Sequence, residues 1–251
     1  SASSCSDSKY PNFIFPLGLL SLDQGYFIMV ANVPYVKLAP LLSFCTCSFV
    51  TILRFCTLPS KYMKSFFIGN IEIKVPVIQG GMGVGISLSG LASAVANEGG
   101  VGVISCAGLG LLYPREKGTY TEKCIGGLKE EIRKSRMKTK GIIGVNVMVA
   151  LSNYADMVRT AINEKIDVIF SGAGLPLDLP SYLIPESVTK LVPIVSSSRA
   201  ARIICDKWQK NYNYLPDAIV VEGPKAGGHL GFKKEQLQDQ NFALDVLIPE
   251  V

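Results

Sequence analysis

Histidine occurs once in the 251 residues, at position 229, and its setting is the first chemical signal. His229 follows Ala226-Gly227-Gly228 in a stretch from Glu222 to Gly231 that also carries Lys225. An imidazole changes charge near neutral pH and suits proton transfer. Glycines beside it let backbone approach a planar or anionic ligand closely. One histidine leaves little for a Ser-His-Asp triad or a multi-histidine metal site. A second glycine cluster, Gly80-Gly81-Met82-Gly83-Val84-Gly85, lacks the G-x-G-x-x-G pattern and the later acid of a Rossmann dinucleotide site. No G-x-x-x-x-G-K-[ST] is present, which excludes a P-loop. Asn146 is a third candidate; its amide suits a ligand and suits local backbone groups equally.

These residues need elements to position them. Short apolar runs recur at Val75–Gln79, Val101–Ser105, Ile142–Met148, Asp167–Gly174, Val192–Ser196 and Asp217–Glu222. Helical spacing falls between them, over Leu88–Glu98, around Glu122–Lys134, from Ser152 to about Lys165, and from Ser198 to about Lys210. Ser87 and Ser152 are in place to cap the helices that follow them. Four strand starts, at 142, 167, 192 and 217, are 25 residues apart, which is about one βα unit every 25 residues. Runs without polar alternation fit parallel strands covered by helices. The resulting class is α/β, either an open doubly wound sheet or a (β/α)8 barrel. Both architectures collect functional groups at the carboxyl ends of their strands. Gly81, Met82, Asn146, Ser196 and the Glu222–His229 stretch all fall there.

Composition divides the chain. Residues 1–62 hold six of the 45 charged side chains, two of the 24 glycines and four of the seven cysteines. Prolines interrupt this segment at 11, 16, 34, 40 and 59, and its longest uncharged run, Leu38 to Leu53, is 16 residues. That is short of the roughly 20 a membrane helix needs. The segment reads as an atypical apolar leader, disordered or non-native, ahead of a natural start at Met63. A hydrophobic content of 48% excludes wholesale disorder. A net charge of +5 is mild, and the densest basic cluster, Arg133–Lys140, fits a helix end rather than a nucleic-acid surface. Cys45-Thr-Cys47 has no partner pair, and Cys106, Cys124 and Cys205 lack pairing spacing, so no metal site is expected and a reducing cytoplasm suits the chain.

Four segments together carry a resemblance: Val75-Pro-Val-Ile-Gln-Gly-Gly-Met82, Gly144-Val-Asn146, Ser171-Gly-Ala-Gly174 and Glu222-Gly-x-x-Ala-Gly-Gly-His-x-Gly231. In order and spacing, residues 69–231 resemble the nitronate monooxygenase family, formerly 2-nitropropane dioxygenases, which also holds the flavin-dependent enoyl-ACP reductases. The resemblance implies a TIM barrel that binds FMN at the carboxyl ends of its strands. It implies that Gly81, Met82 and Gly83 lie against the isoalloxazine and that Asn146 and Glu222 contact the flavin. Gly227 and Gly228 would bring backbone amides close to the cofactor, and His229 matches the catalytic histidine.

The implied reaction is oxidation of an alkyl nitronate with dioxygen to a carbonyl compound and nitrite. The alternatives are enoyl-ACP reduction with NAD(P)H as reductant, and a catalytically incompetent fragment. Gly80-Gly81-Met82 and Glu222 lie nearer the enoyl-reductase branch, whereas Lys225 stands where the family usually has an acid. Six strands imply about six of eight βα units over residues 63–251. A chain lacking the family's later phosphate-binding loops would hold FMN poorly. Expected partners are a small molecule (nitronate or enoyl thioester) and dioxygen, with a homodimer as the candidate assembly, no nucleic acid and no membrane.

Overall fold

The computed structural model describes residues 64–114, 117–228 and 230–251. The leader expected over residues 1–62, Met63 and His229 all lie outside the described residues. The described chain opens with a feature absent from the expectations, an antiparallel hairpin of β1 (Phe66–Ile68) and β2 (Ile71–Ile73). Its two-residue turn begins at Gly69 with φ +56°, a conformation that favours glycine. Phe66, Ile68 and Ile73 are buried while Phe67 faces out, as strand alternation requires.

Five parallel strands follow: β3 (Val101–Ser105), β4 (Ile142–Met148), β5 (Val168–Gly172), β6 (Lys190–Val195) and β7 (Val220–Val221). They pair strictly in chain order. Between and after them lie α1 (Ser89–Asn97), α2 (Leu109–Leu112), α3 (Tyr120–Lys138), α4 (Tyr154–Asn163), α5 (Ser198–Tyr212) and α6 (Leu244–Glu250). The run expected as the first strand, Val75–Gln79, is reduced to a parallel bridge between Ile78 and Val101. The Gln79 amide donates to the Val101 carbonyl at 3.0 Å, and the Val101 amide donates to the Val77 carbonyl at 2.9 Å. Pro76 has no N–H to extend this ladder, and glycines end it on the other side.

An unreversed strand order with right-handed crossovers puts every helix on the same face of the sheet. The two hydrophobic clusters confirm that division. Ile104, Val145, Val147, Ile169, Leu191 and Val195 pack outward against Ala92, Leu128, Met157, Ile204 and Trp208 of the helices. Val101, Val103, Val168, Phe170, Val192 and Val220 face inward and meet Phe66, Ile68 and Ile73 of the hairpin. A doubly wound sheet would carry helices on both faces, so the fold is a parallel sheet curled as part of an α/β barrel. The hairpin plugs its amino end, where the Gly69 amide donates to the Asp217 carbonyl at 3.2 Å.

Two aspartates fasten neighbouring strands at that same end. Asp167 accepts from the Ile143 amide at 2.7 Å, and Asp217 accepts from the Leu191 amide at 2.9 Å. Each aspartate ties the start of one strand to the start of a neighbour. Two caps differ from expectation. Leu88, not Ser87, precedes α1 without a side-chain cap, and Asn153, not Ser152, precedes α4. Helix α3 begins instead with a full capping box from Thr119 and Glu122.

Close packing of α1 on β3 leaves no room for a side chain at Gly102, where a Cβ would lie 1.8 Å from the Ala92 carbonyl oxygen. Gly102→Ala should therefore cost at least about 2 kcal/mol through overpacking. Gly90→Ala, on the exposed side of α1 with nothing within 4 Å, should stabilise by up to about 1 kcal/mol. Urea midpoints for the two variants would check the contrast. Equal midpoints would show that α1 does not seat on β3 as described.

Candidate functional site

The loop after Ile78 is held by two side chains, Gln79, to which the sequence assigned no role, and Ser87, expected as a helix cap. Gln79 is buried, and its Nε2 donates to the Val103 carbonyl at 2.8 Å and to Ser87 Oγ at 2.9 Å. Its Oε1 accepts from the Val103 amide at 3.4 Å, so the side chain continues the pairing that the backbone abandons at the glycines. Ser87 Oγ in turn donates to the Gly80 carbonyl at 3.0 Å and accepts from the Met82 amide at 3.0 Å. With Gln79 as a second donor, that hydroxyl has used its one proton and both lone pairs. Ser87 folds the glycine loop rather than capping α1. A polar residue at a strand end and a serine eight positions later were the available signals, but a cap is the commoner use of such a serine.

The loop delivers Gly81 against β4. A Cβ at Gly81 would lie 2.3 Å from the Asn146 Cβ, so only glycine admits this approach. Asn146 points into the sheet's inner face, where Gly80, Gly81, Asn146, Phe170, Ile194 and Val220 line a small cavity about the size of one water. Among the described residues the Asn146 side-chain amide has no hydrogen-bond partner. Met82 is half-buried and contributes its amide to Ser87, while Gly83 is exposed beside Ala107, 2.9 Å from where its Cβ would stand.

Glu222 follows β7 and is 6% exposed. Its Oε2 accepts from Ser196 Oγ at 3.0 Å and from the Gly231 amide at 3.2 Å, and a Cβ at Gly231 would collide with Ser196 Oγ. Among the described residues Oε1 has no donor. Burial pushes the Glu222 carboxyl above its ordinary value, against the pull of the Gly231 and Ser196 bonds. Gly228 has φ +86° and open space around its Cβ position, Gly227 is half-buried, and Lys225 is exposed. The structure thus joins Gly81 to Asn146, and Glu222 to Ser196 and Gly231. It leaves Gly228 open and says nothing of His229. Among the described residues no three His, Cys, Asp or Glu side chains gather as a metal site, and no helix is long and apolar enough to cross a membrane.

A parallel sheet curled under one layer of helices, with glycine-rich loops and isolated polar groups at its carboxyl-end mouth, defines part of an α/β barrel with its candidate site at that mouth. The chain belongs to the nitronate monooxygenase family, whose model matches residues 64–251. FabK from Thermotoga maritima is similar at TM-score 0.51 and 28% identity, over 68% of this chain and 46% of that one. Nitroalkane oxidase from Streptomyces ansochromogenes shares the fold at TM-score 0.52 and 20% identity, over 69% and 54% of the two chains. Two relatives are named (3aS,4S,5R,7aS)-5-hydroxy-7a-methyl-1-oxo-octahydro-1H-indene-4-carboxyl-CoA dehydrogenase. The protein of Rhodococcus jostii (strain RHA1) is 26% identical over 64% of this chain, and that of Mycobacterium tuberculosis (strain ATCC 25618 / H37Rv) is 29% identical over 64%. The chain spans 39% of the length of each of these curated relatives.

Two measurements address the site's supports. Ser87→Ala removes one donor and two acceptor positions from a buried cluster and should destabilise by about 1–3 kcal/mol. Hydrogen exchange at the Met82 amide should quicken beyond the global change; unchanged protection there would remove Ser87 from the loop's support. Glu222 sets a pH dependence of definite sign. Below an unfolded glutamate pKa of about 4.3 the proton is held in both states and no penalty arises. As pH rises through the raised folded value, ionising the buried carboxyl lowers stability. Stability of the parent relative to Glu222→Gln should therefore fall as pH rises above about 4 and then level off. A relative gain over that window would show that the carboxylate is the favoured form.

Proposed function

We propose that this chain carries the flavin end of an FMN-dependent oxidoreductase. The observation that carries the reading is the junction of Gly81 and Asn146. A glycine backbone pressed against a strand end leaves an amide without a partner among the described residues, facing a small cavity. The groups present suit a planar ring with a polar edge: the Asn146 amide at the end of β4, the open backbone of Gly228, and the Oε1 of Glu222, which has no donor among the described residues. Gly81, Met82, Gly83, Asn146, Glu222, Gly227 and Gly228 would hold FMN, and His229 would act on the substrate.

FMN supplies, when bound, a two-electron acceptor that no amino-acid side chain provides. The chain's own residues supply placement and proton handling. Asn146 offers a donor and an acceptor from one amide, so it can satisfy both kinds of group on a ring edge. Burial raises the Glu222 carboxyl, which favours its protonated, hydrogen-bond-donating form. His229 would take a proton from a carbon made acidic by a neighbouring nitro or carbonyl group, or would position the anion if it binds already ionised. Family membership supports an alkyl nitronate as substrate, with dioxygen as co-substrate.

A second reading has its own support. Both dehydrogenase relatives act, by their names, on a carboxyl-CoA thioester. Gly80-Gly81-Met82 and Glu222 also lie on the side of the family with the enoyl-ACP reductases. In that reading NAD(P)H is the reductant and a thioester replaces the nitronate. The two readings share the same residues and differ in the product released. Residues 63–251 would supply about six βα units of the barrel, working in the cytoplasm with a homodimer as the candidate assembly.

FMN fluorescence quenching tests the cofactor reading directly. Asn146→Ala should weaken FMN binding roughly fivefold relative to the parent chain, the worth of one hydrogen bond. His229→Ala should keep FMN affinity but lose on the order of 10²–10⁴-fold in turnover. Nitrite release from an alkyl nitronate would select the first substrate; thioester-dependent NAD(P)H oxidation would select the second. Equal FMN affinity for the Asn146→Ala and parent chains would sink the assignment of this mouth to flavin.

A further inference from the structure

Glu131 lies in the middle of α3, in a segment whose composition suggests a solvated helix, yet it is 3% exposed. Its Oε2 accepts from the Ser89 amide at 2.6 Å, 42 positions away in the chain. Ser89 is the first residue of α1, and the preceding Leu88 gives that helix no side-chain cap. Glu131 therefore caps α1 from another helix. Its Oε1 accepts from the Tyr113 hydroxyl at 2.5 Å and from Lys134 Nζ at 3.4 Å. The Tyr113 ring lies over Gly127, where a Cβ would come within 2.7 Å of it, so α3 carries a glycine under the ring.

The two donors belong to the two segments that form one side of the mouth. Ser89 ends the segment begun at Gly80, and Tyr113 ends the segment that follows β3 and includes α2. In front of Glu131 these segments touch each other. A Cβ at Gly108 would lie 2.6 Å from Val84, and one at Gly85 would lie 3.3 Å from Leu112. Together they raise four exposed apolar side chains at the rim: Val84, Ile86, Leu111 and Leu112. Nothing else in the described residues fastens both segments to the helical layer through a single group.

We propose that Glu131 is a positioning residue that fixes, through Ser89 and Tyr113, the two rim segments against which the apolar part of the substrate lies. The rim geometry stands without a cofactor; the consequence for substrate rests on the flavin reading given above. The charged form suits the task, because a carboxylate accepts at both oxygens and these two donors approach different ones. Burial raises the Glu131 carboxyl, but the bonds from Tyr113 and Ser89 and the Lys134 charge outweigh it and hold the group below its ordinary value. Burial and that carboxylate push the Tyr113 hydroxyl up to about 12, so it remains a donor.

The test reads each segment separately. In Tyr113→Phe, hydrogen exchange at the Leu111 amide, which donates to the Gly108 carbonyl, should quicken roughly tenfold beyond any global change in stability while Ser89 protection changes only by that global amount. Glu131→Gln should keep the Ser89 bond through its carbonyl oxygen, with the Tyr113 hydroxyl turning to accept from the amide. Glu131→Ala should release both segments beyond any global change. If Glu131→Ala does not fold, the other two variants still decide the matter. In the FMN-loaded protein, Tyr113→Phe should raise KM for a long-chain substrate with little change in kcat, and a fall in kcat alone would count against a rim role. Unaltered protection at Leu111 in Tyr113→Phe, or a uniform loss across the chain in every variant, would overturn the proposal. Absence of FMN binding would leave the exchange result standing, so the two readings fail separately.

Discussion

The parallel ladder runs from Ile78 through β3 to β7 without reversing direction, and the rest of the molecule follows from that order. Each crossover turns the same way, so helices accumulate on one face and the sheet must curl. The concave face then needs its own filling. Val101, Val168, Val192 and Val220 supply part of it, and the β1–β2 hairpin closes the amino end. The carboxyl end stays open because the loops leaving the strands there carry glycine and polar residues. The mouth with its candidate site is thus the unfilled remainder of a curled sheet.

Glycine serves this chain chiefly as a spacing device. Gly102 lets α1 touch β3 on the outside, while Gly144 and Gly172 accept Phe170 and Ile194 on the inside. Gly81 lets a loop touch Asn146, and Gly231 lets the chain return to Ser196 and Glu222. A glycine-rich loop at a strand end invites a ligand-binding interpretation, yet several of these positions are already filled by protein. Gly228 is different, with positive φ and open surroundings, and it best suits close approach by a ligand.

Glu131 and Glu222 show how environment divides one residue type. Both are buried, and burial alone raises both carboxyls. Glu131 collects donors at both oxygens and a neighbouring ammonium, which brings it below its ordinary value. Glu222 has two donors on a single oxygen and, among the described residues, no cation beside it, so burial prevails and its carboxyl stays high. The first is suited to holding structure as an anion. The second, with an oxygen to spare, is suited to a ligand.

By itself the sequence determined the alternation of strands and helices, the 25-residue period and the placing of unusual residues at strand ends. These are local matters of apolar runs, caps and glycines, and the family resemblance drew on the same local motifs. The apolar runs alone left a barrel and a doubly wound sheet open; the resemblance pointed to the barrel, and the strand neighbours, contacts across 25 residues or more, bear it out. The hairpin escaped notice because three-residue strands carry too little pattern. Gln79, Ser87 and Glu131 escaped because their partners are distant in the chain or have a commoner local use. Tertiary structure decided those roles, since a hydrogen bond's worth depends on which distant group is left without water beside it.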